Sequence, residues 1–139
     1  GALMSYLLIW DELALLWNRQ DFAGVHDWLN ERWARLVQES ASGERDVVAS
    51  FLQGLAFAAL ALHFMREGNE ESAGLFVEDA LKVLPQFAPA YAGIRITPIQ
   101  DALGELQSRM ALPNNAKGLL LRFVPFVPLQ FTVGNKVAV

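Results

Sequence analysis

His26 and His63, with the polar side chains around them, are where this chain of 139 residues has chemistry to offer. His26, Asp27, Asn30 and Glu31 bring an imidazole, an amide and two carboxylates into two turns of one segment, and His63 adds a second imidazole further on. Such groups are the raw material of a nitrogen-and-oxygen metal site or of acid–base catalysis. Their spacing separates them. On a helical period, Asp27 and Glu31 point about 100° away from His26 and Asn30, so carboxylates and imidazole do not converge. The run H-D-W-L-N also lacks the second histidine of a zinc-binding H-E-x-x-H helix. The expectation is therefore no metal and no cofactor. Instead, His26, Asp27, Asn30, Glu31, Trp33, Gln53 and His63 form a candidate polar cluster in a packed helical body. In it His26 packs beneath Trp33 and hydrogen-bonds a neighbour, with Gln53 the candidate partner. The alternative is a metal-dependent or hydrolase-like small-molecule site centred on His26.

The elements that must position these residues emerge from periodicity. Phe22, Val25, His26, Leu29, Trp33 and Leu36 recur at spacings of three and four, which places them on one face of a helix from Phe22 to Glu39, capped by Asp21. Before it, Ser5 is the candidate cap of a helix from Tyr6 to about Trp17, apolar on more than one side. After the loop S-A-S-G-E-R, a third helix from about Arg45 to Arg66 is apolar nearly all round. A membrane span needs about twenty such residues. Ser50, Gln53, Gly54 and His63 interrupt this one, and its many alanines suit close packing, so the expectation is a central buried helix with Gly54 at a close approach and no membrane. Gly68 ends that helix and Asn69 caps a fourth, running to about Leu84 before Pro85.

Thr97, Pro98 and Gln100 read as a capping-box start for a fifth helix, Thr97 to about Met110. The stretch from Glu70 to Ile94 has the look of half a tetratricopeptide repeat, but a period of about 34 residues does not recur, so one helical hairpin is the reading. From Leu119 to Val133 the density of Phe, Val and Leu around Pro125 and Pro128 reads as extended chain, with Gly134-Asn135 able to turn a small hairpin. The fold class is all-α: a single-domain orthogonal or irregular bundle of about five helices over residues 4–112, with an extended apolar C-terminal tail over 113–139 that docks on the bundle or on a second subunit. Left uncovered, that tail exceeds the apolar patch a monomer tolerates, and an exchanged homodimer is the favoured arrangement.

From Leu16 to Leu84 the chain resembles the small all-helical family known as domain of unknown function 309, whose signature helix reads roughly N-x-G-D-[FY]-x-x-x-H-E-x-x-E-x-x-W. Asn18, Asp21, Phe22, His26 and Trp33 stand on that pattern, while Asp27 and Asn30 replace its two glutamates, with Glu31 next door. The likeness continues through Phe51–His63 and Gly68–Ala73 and thins out at Tyr91–Ile94. It implies an all-helical fold and brings no activity with it.

Composition narrows the function further. The chain is 53% hydrophobic and carries a net charge of −4, which gives no long-range attraction to nucleic acid or anionic lipid. It has no cysteine, hence no disulfide, thiolate metal site or cysteine nucleophile, in keeping with a cytoplasmic location. Gly1–Leu3 read as residues added ahead of Met4, and the apolar stretch after Met4 lacks the basic flank and small-residue cleavage site of a signal peptide. Trp10, Trp17, Trp28 and Trp33 suit core packing, with Trp28 expected toward the polar side of its helix. No glycine-rich phosphate loop or serine elbow is present. The reading is a small cytoplasmic helical protein that self-associates and acts in interaction or scaffolding without catalysis, through a homodimer or another protein partner.

Overall fold

The computed structural model describes residues 8–113 and 127–132. Among the described residues five helices make the body: α1, Asp11–Asn18; α2, Phe22–Glu39; α3, Val47–Arg66; α4, Glu70–Val83; and α5, Thr97–Met110. Single 3₁₀ turns at Gly43–Arg45 and Leu84–Phe87 adjoin them, and two short strands, β1 (Ala90–Tyr91) and β2 (Ile94–Arg95), pair antiparallel. The all-α class holds. The strand pair is not legible in the pattern because each strand is only two residues long.

Helix starts obey local chemistry. Asp21 accepts from the Gly24 N–H at 3.0 Å, and Asn69 accepts from the Ser72 N–H at 3.1 Å. Asp46 accepts from the Val48 and Ala49 N–H groups at 2.8 and 3.2 Å and from the Ser40 hydroxyl at 2.8 Å. Asp46 thereby sets the start of α3 at Val47, two residues later than the pattern indicates. Two expected starts are corrected. Residues 8–10 are not helical, so α1 begins at Asp11 rather than Tyr6: the Trp10 indole is drawn to the Ala92 carbonyl at 2.8 Å, while Asp11 and Glu12 occupy the first turn, where acid suits the helix dipole. Ser5 lies outside the described residues. The capping box at Thr97 is absent too. Ile96 holds the cap position with no side-chain bond, because its N–H donates to the Pro89 carbonyl and its side chain is fully buried.

α3 packs between α2 and α4. Among the described residues it is the one helix long and apolar enough to cross a membrane by length and composition, and 61% of that stretch is buried inside the bundle. Its alanines at 56, 58, 59 and 61 are all buried, which lets the flanking helices approach closely. Gly54 marks a close approach to the end of α4: a Cβ there would meet Val83 Cγ1 at 2.9 Å and Leu84 Cδ2 at 3.0 Å.

Residues 127–132 of the tail lie extended on their own chain. The Trp17 indole donates to the Val127 carbonyl at 2.7 Å, the Leu129 N–H to Asn18 Oδ1 at 2.9 Å, and the Thr132 N–H to the Gly93 carbonyl at 3.0 Å. The Arg95 N–H donates to the Gln130 carbonyl at 2.9 Å, and Ile94 bridges Phe131 antiparallel. Leu129 and Phe131 are buried. The rest of the expected tail, residues 119–126 and the possible hairpin at 133–135, lies outside the described residues.

Candidate functional site: a pocket between two helices

α2 and α3 leave a small pocket lined by His26, Asn30, Trp33, Gln53, Ala56, Phe57 and Leu60, with a volume of about 120 Å³. Its α2 side comes from positions 26, 30 and 33 and its α3 side from positions 53, 56, 57 and 60, each set at helical spacing. Trp33, Phe57 and Leu60 are half-buried and Ala56 is buried, so the walls are apolar. His26, Asn30 and Gln53 supply the polar groups. Phe57 is backed by Phe76 of α4, with ring centroids 6.1 Å apart, and Phe76 stacks in turn on Phe64 at 5.7 Å. The pocket wall is thus continuous with the packing of three helices.

The candidate cluster divides. His26, Asn30, Trp33 and Gln53 come together, as the helical stripe requires. Asp27 does not line the pocket, yet its carboxylate turns back to the ring: His26 Nδ1 lies 3.2 Å from Asp27 Oδ1. Adjacent residues diverge at Cα, but side-chain torsions recover the contact, which a purely angular estimate neglects. When Nδ1 carries the proton and donates to Asp27, Nε2 is left as the acceptor. The partner of His26 is therefore Asp27, not Gln53. Nor is His26 a core residue: its side chain is 31% exposed, and Asn30 is exposed. The buried stripe of α2 centres on Val25, Leu29 and Leu36, and His26 sits on its flank.

Glu31 is an exposed residue 3.9 Å from Arg35, away from the pocket. His63 lines a separate depression with Gln20, Asp21, Phe22, Ala23, Arg66 and Glu67, its ring against Phe64 at 5.1 Å. α2 and α3 run antiparallel, so His63 meets the start of α2 and not His26. Among the described residues, no three His, Asp or Glu side chains are grouped to hold a metal ion.

Trp28 is the clearest correction. It is buried, not on the polar side, with its ring 6.1 Å from that of Trp10 and the Arg32 guanidinium stacked 3.5 Å over it. The approach to α1 covers that flank of α2, and a charged residue one turn on, Arg32, is buried with it. The sequence holds a signal for this, Trp28 and Arg32 at i, i+4, a spacing that lets a guanidinium lie on an indole.

Residues 10–75, from the start of α1 into α4, match the model of the family described as Domain of unknown function (DUF309). Both sides of the His26 pocket fall within that stretch. A relative from Aquifex aeolicus (strain VF5), described as an uncharacterized protein, is 29% identical over 103 residues. The alignment covers 74% of this chain but 29% of that protein, so the chain spans less than a third of the relative it matches. No solved structure matches.

Proposed function

We propose that this domain of unknown function is a non-catalytic interaction module of the cytoplasm, which seats one apolar side chain of a protein partner in the pocket between α2 and α3. The observation that carries the reading is the size and lining of the pocket. Its volume of about 120 Å³ is near that of an apolar cavity that takes a benzene ring, and well under the roughly 300–1,000 Å³ of a site for a cofactor or drug-sized ligand. Apolar walls with an imidazole and two amides at the opening are the make-up of an anchor pocket, where one buried side chain supplies most of the affinity and the rim excludes water. The His26–Asp27 pair is half of a catalytic arrangement; among the described residues, no serine, threonine or second acid lines the pocket to act with it.

The Aquifex relative supports a module. There the aligned region makes up 29% of the protein, the proportion of one part in a longer chain. The partner we propose first is a second copy. Leu75, at 60% the most exposed large apolar side chain among those described, is of the size the pocket takes. A dilution series followed by NMR tests this: the Leu60 methyl and Trp33 indole signals should move together as the chain is diluted. Signals that stay fixed while the protein dissociates would place its interface elsewhere.

A further inference from the structure

The flank of α2 opposite the His26 pocket carries a second depression, of about 250 Å³, lined by Ile9, Asp11, Glu12, Trp28 and Arg32. Trp28 is 6% exposed and Arg32 9%. The indole Nε1 of Trp28 is closed to water and has no hydrogen-bond partner among the described residues. The other two buried tryptophans differ: Trp10 donates to the Ala92 carbonyl at 2.8 Å and Trp17 to the Val127 carbonyl at 2.7 Å. Buried donors are nearly always paired, so the open N–H of Trp28 asks for an acceptor. The Arg32 guanidinium lies over the same ring, and its Nη1 donates to the Trp28 carbonyl at 3.2 Å. Asp11 and Glu12, both exposed, bring two carboxylates to the same depression, and Ile9, 56% exposed, brings an apolar edge.

We propose that this depression binds a free α-amino acid as its zwitterion. The ligand carboxylate accepts from Trp28 Nε1 and the Arg32 guanidinium, while its ammonium is held by Asp11 and Glu12. A plain anion would meet Arg32 but face two carboxylates of like charge. A plain cation would suit the carboxylates and leave the indole N–H as it is. A molecule carrying both charged groups on one carbon answers all four groups, and its side chain lies along Ile9. Because Nε1 is closed to water, the carboxylate reaches it as the guanidinium turns from the ring face toward the ligand, a rotamer change within the reach of a long side chain.

The test uses the full chain of 139 residues, with L-leucine, N-acetyl-L-leucine and L-leucinamide as probes. L-leucine should move the Trp28 indole N–H signal saturably. Each capped analogue should bind about tenfold more weakly by calorimetry or worse, since each lacks one charged contact. The exposed double variant Asp11→Asn, Glu12→Gln should lower the affinity for L-leucine about tenfold and raise that for N-acetyl-L-leucine, an anion that then no longer faces two carboxylates. Trp28→Phe removes no hydrogen bond from the fold and should weaken L-leucine binding; if that variant fails to fold, the Asp11 and Glu12 variant decides. No shift with L-leucine, equal binding of either capped analogue, or indifference to a folded variant overturns the proposal.

Discussion

Replacing Gly54 probes a close contact between helices, where α3 meets the end of α4. A Cβ there stands 2.9 Å from Val83 Cγ1, 3.0 Å from Leu84 Cδ2 and 3.4 Å from Val83 Cβ. Carbons in contact rest about 3.5–4.0 Å apart, so alanine requires its neighbours to retreat by roughly 0.5–1 Å. Val83 is half-buried and has room to give; Leu84 is fully buried and has little. Against this, leaving glycine in a helix interior gains about 1 kcal/mol of propensity. Overpacking costs about 1–3 kcal/mol, so Gly54→Ala should come out from about neutral to 2 kcal/mol destabilised. Gly54→Leu, which drives three more carbons into the same space, should lose about 2–3 kcal/mol despite the better helix former. Urea unfolding reads this directly as a lower midpoint at constant slope. A Gly54→Leu variant as stable as the parent would show that α3 and α4 are not in close contact there.

Three further outcomes rest on named contacts. Partial burial raises the Asp46 carboxyl, but hydrogen bonds from Ser40, Ala49 and Val48 outweigh it and hold the group below its ordinary 3.8. A pKa depressed by folding gives stability that is present above 3.8 and lost as the pH falls through the lower folded value. Asp46→Asn should therefore flatten the acid limb of a stability-against-pH curve, and Asp46→Ala should cost about 1 kcal/mol as a lost cap. Asn18→Ala leaves the Leu129 N–H without its acceptor and should cost about 1 kcal/mol; hydrogen exchange at Leu129 should quicken if the tail docks there. His26→Ala removes a ring 31% exposed whose one side-chain hydrogen bond among the described residues is to its neighbour Asp27, so stability should change by under about 1 kcal/mol, against the roughly 1–3 kcal/mol expected of a buried histidine. Thermal unfolding distinguishes the two.

The fold is largely legible in the sequence because its signals are local. Asp21 and Asn69 announce helix starts by their own hydrogen bonds, while the cap at Asp46 escapes the pattern by two residues; the bounds of α2 and α5 come from periodicity and flanking residues. Where a boundary depends on a distant group, the sequence is silent. α1 starts late because Trp10 bonds to Ala92, eighty-two residues away, and α5 lacks its capping box because Ile96 is tied to Pro89. The same division runs through the site. One helical stripe brings His26, Asn30 and Trp33 together, and Gln53 joins them from the facing helix. Periodicity gives no rotational setting for α2 in the bundle, however, so it turns Trp28 toward solvent and His26 toward the core when the reverse is nearer. Ala56, Phe57 and Leu60 read as ordinary core residues, since nothing in their types separates a pocket wall from an interior.

Light scattering on the intact chain and on Ala56→Met tests the anchor pocket most directly. Ala56 is buried at 7% exposure in the pocket wall, so methionine there fills the space without removing a contact the fold uses. An anchor pocket seated on a second copy predicts a dimer for the intact chain, and a monomer for the filled variant with its melting temperature unchanged or raised. An intact chain that stays monomeric at every concentration, or a filled variant that dimerises as before, would contradict it.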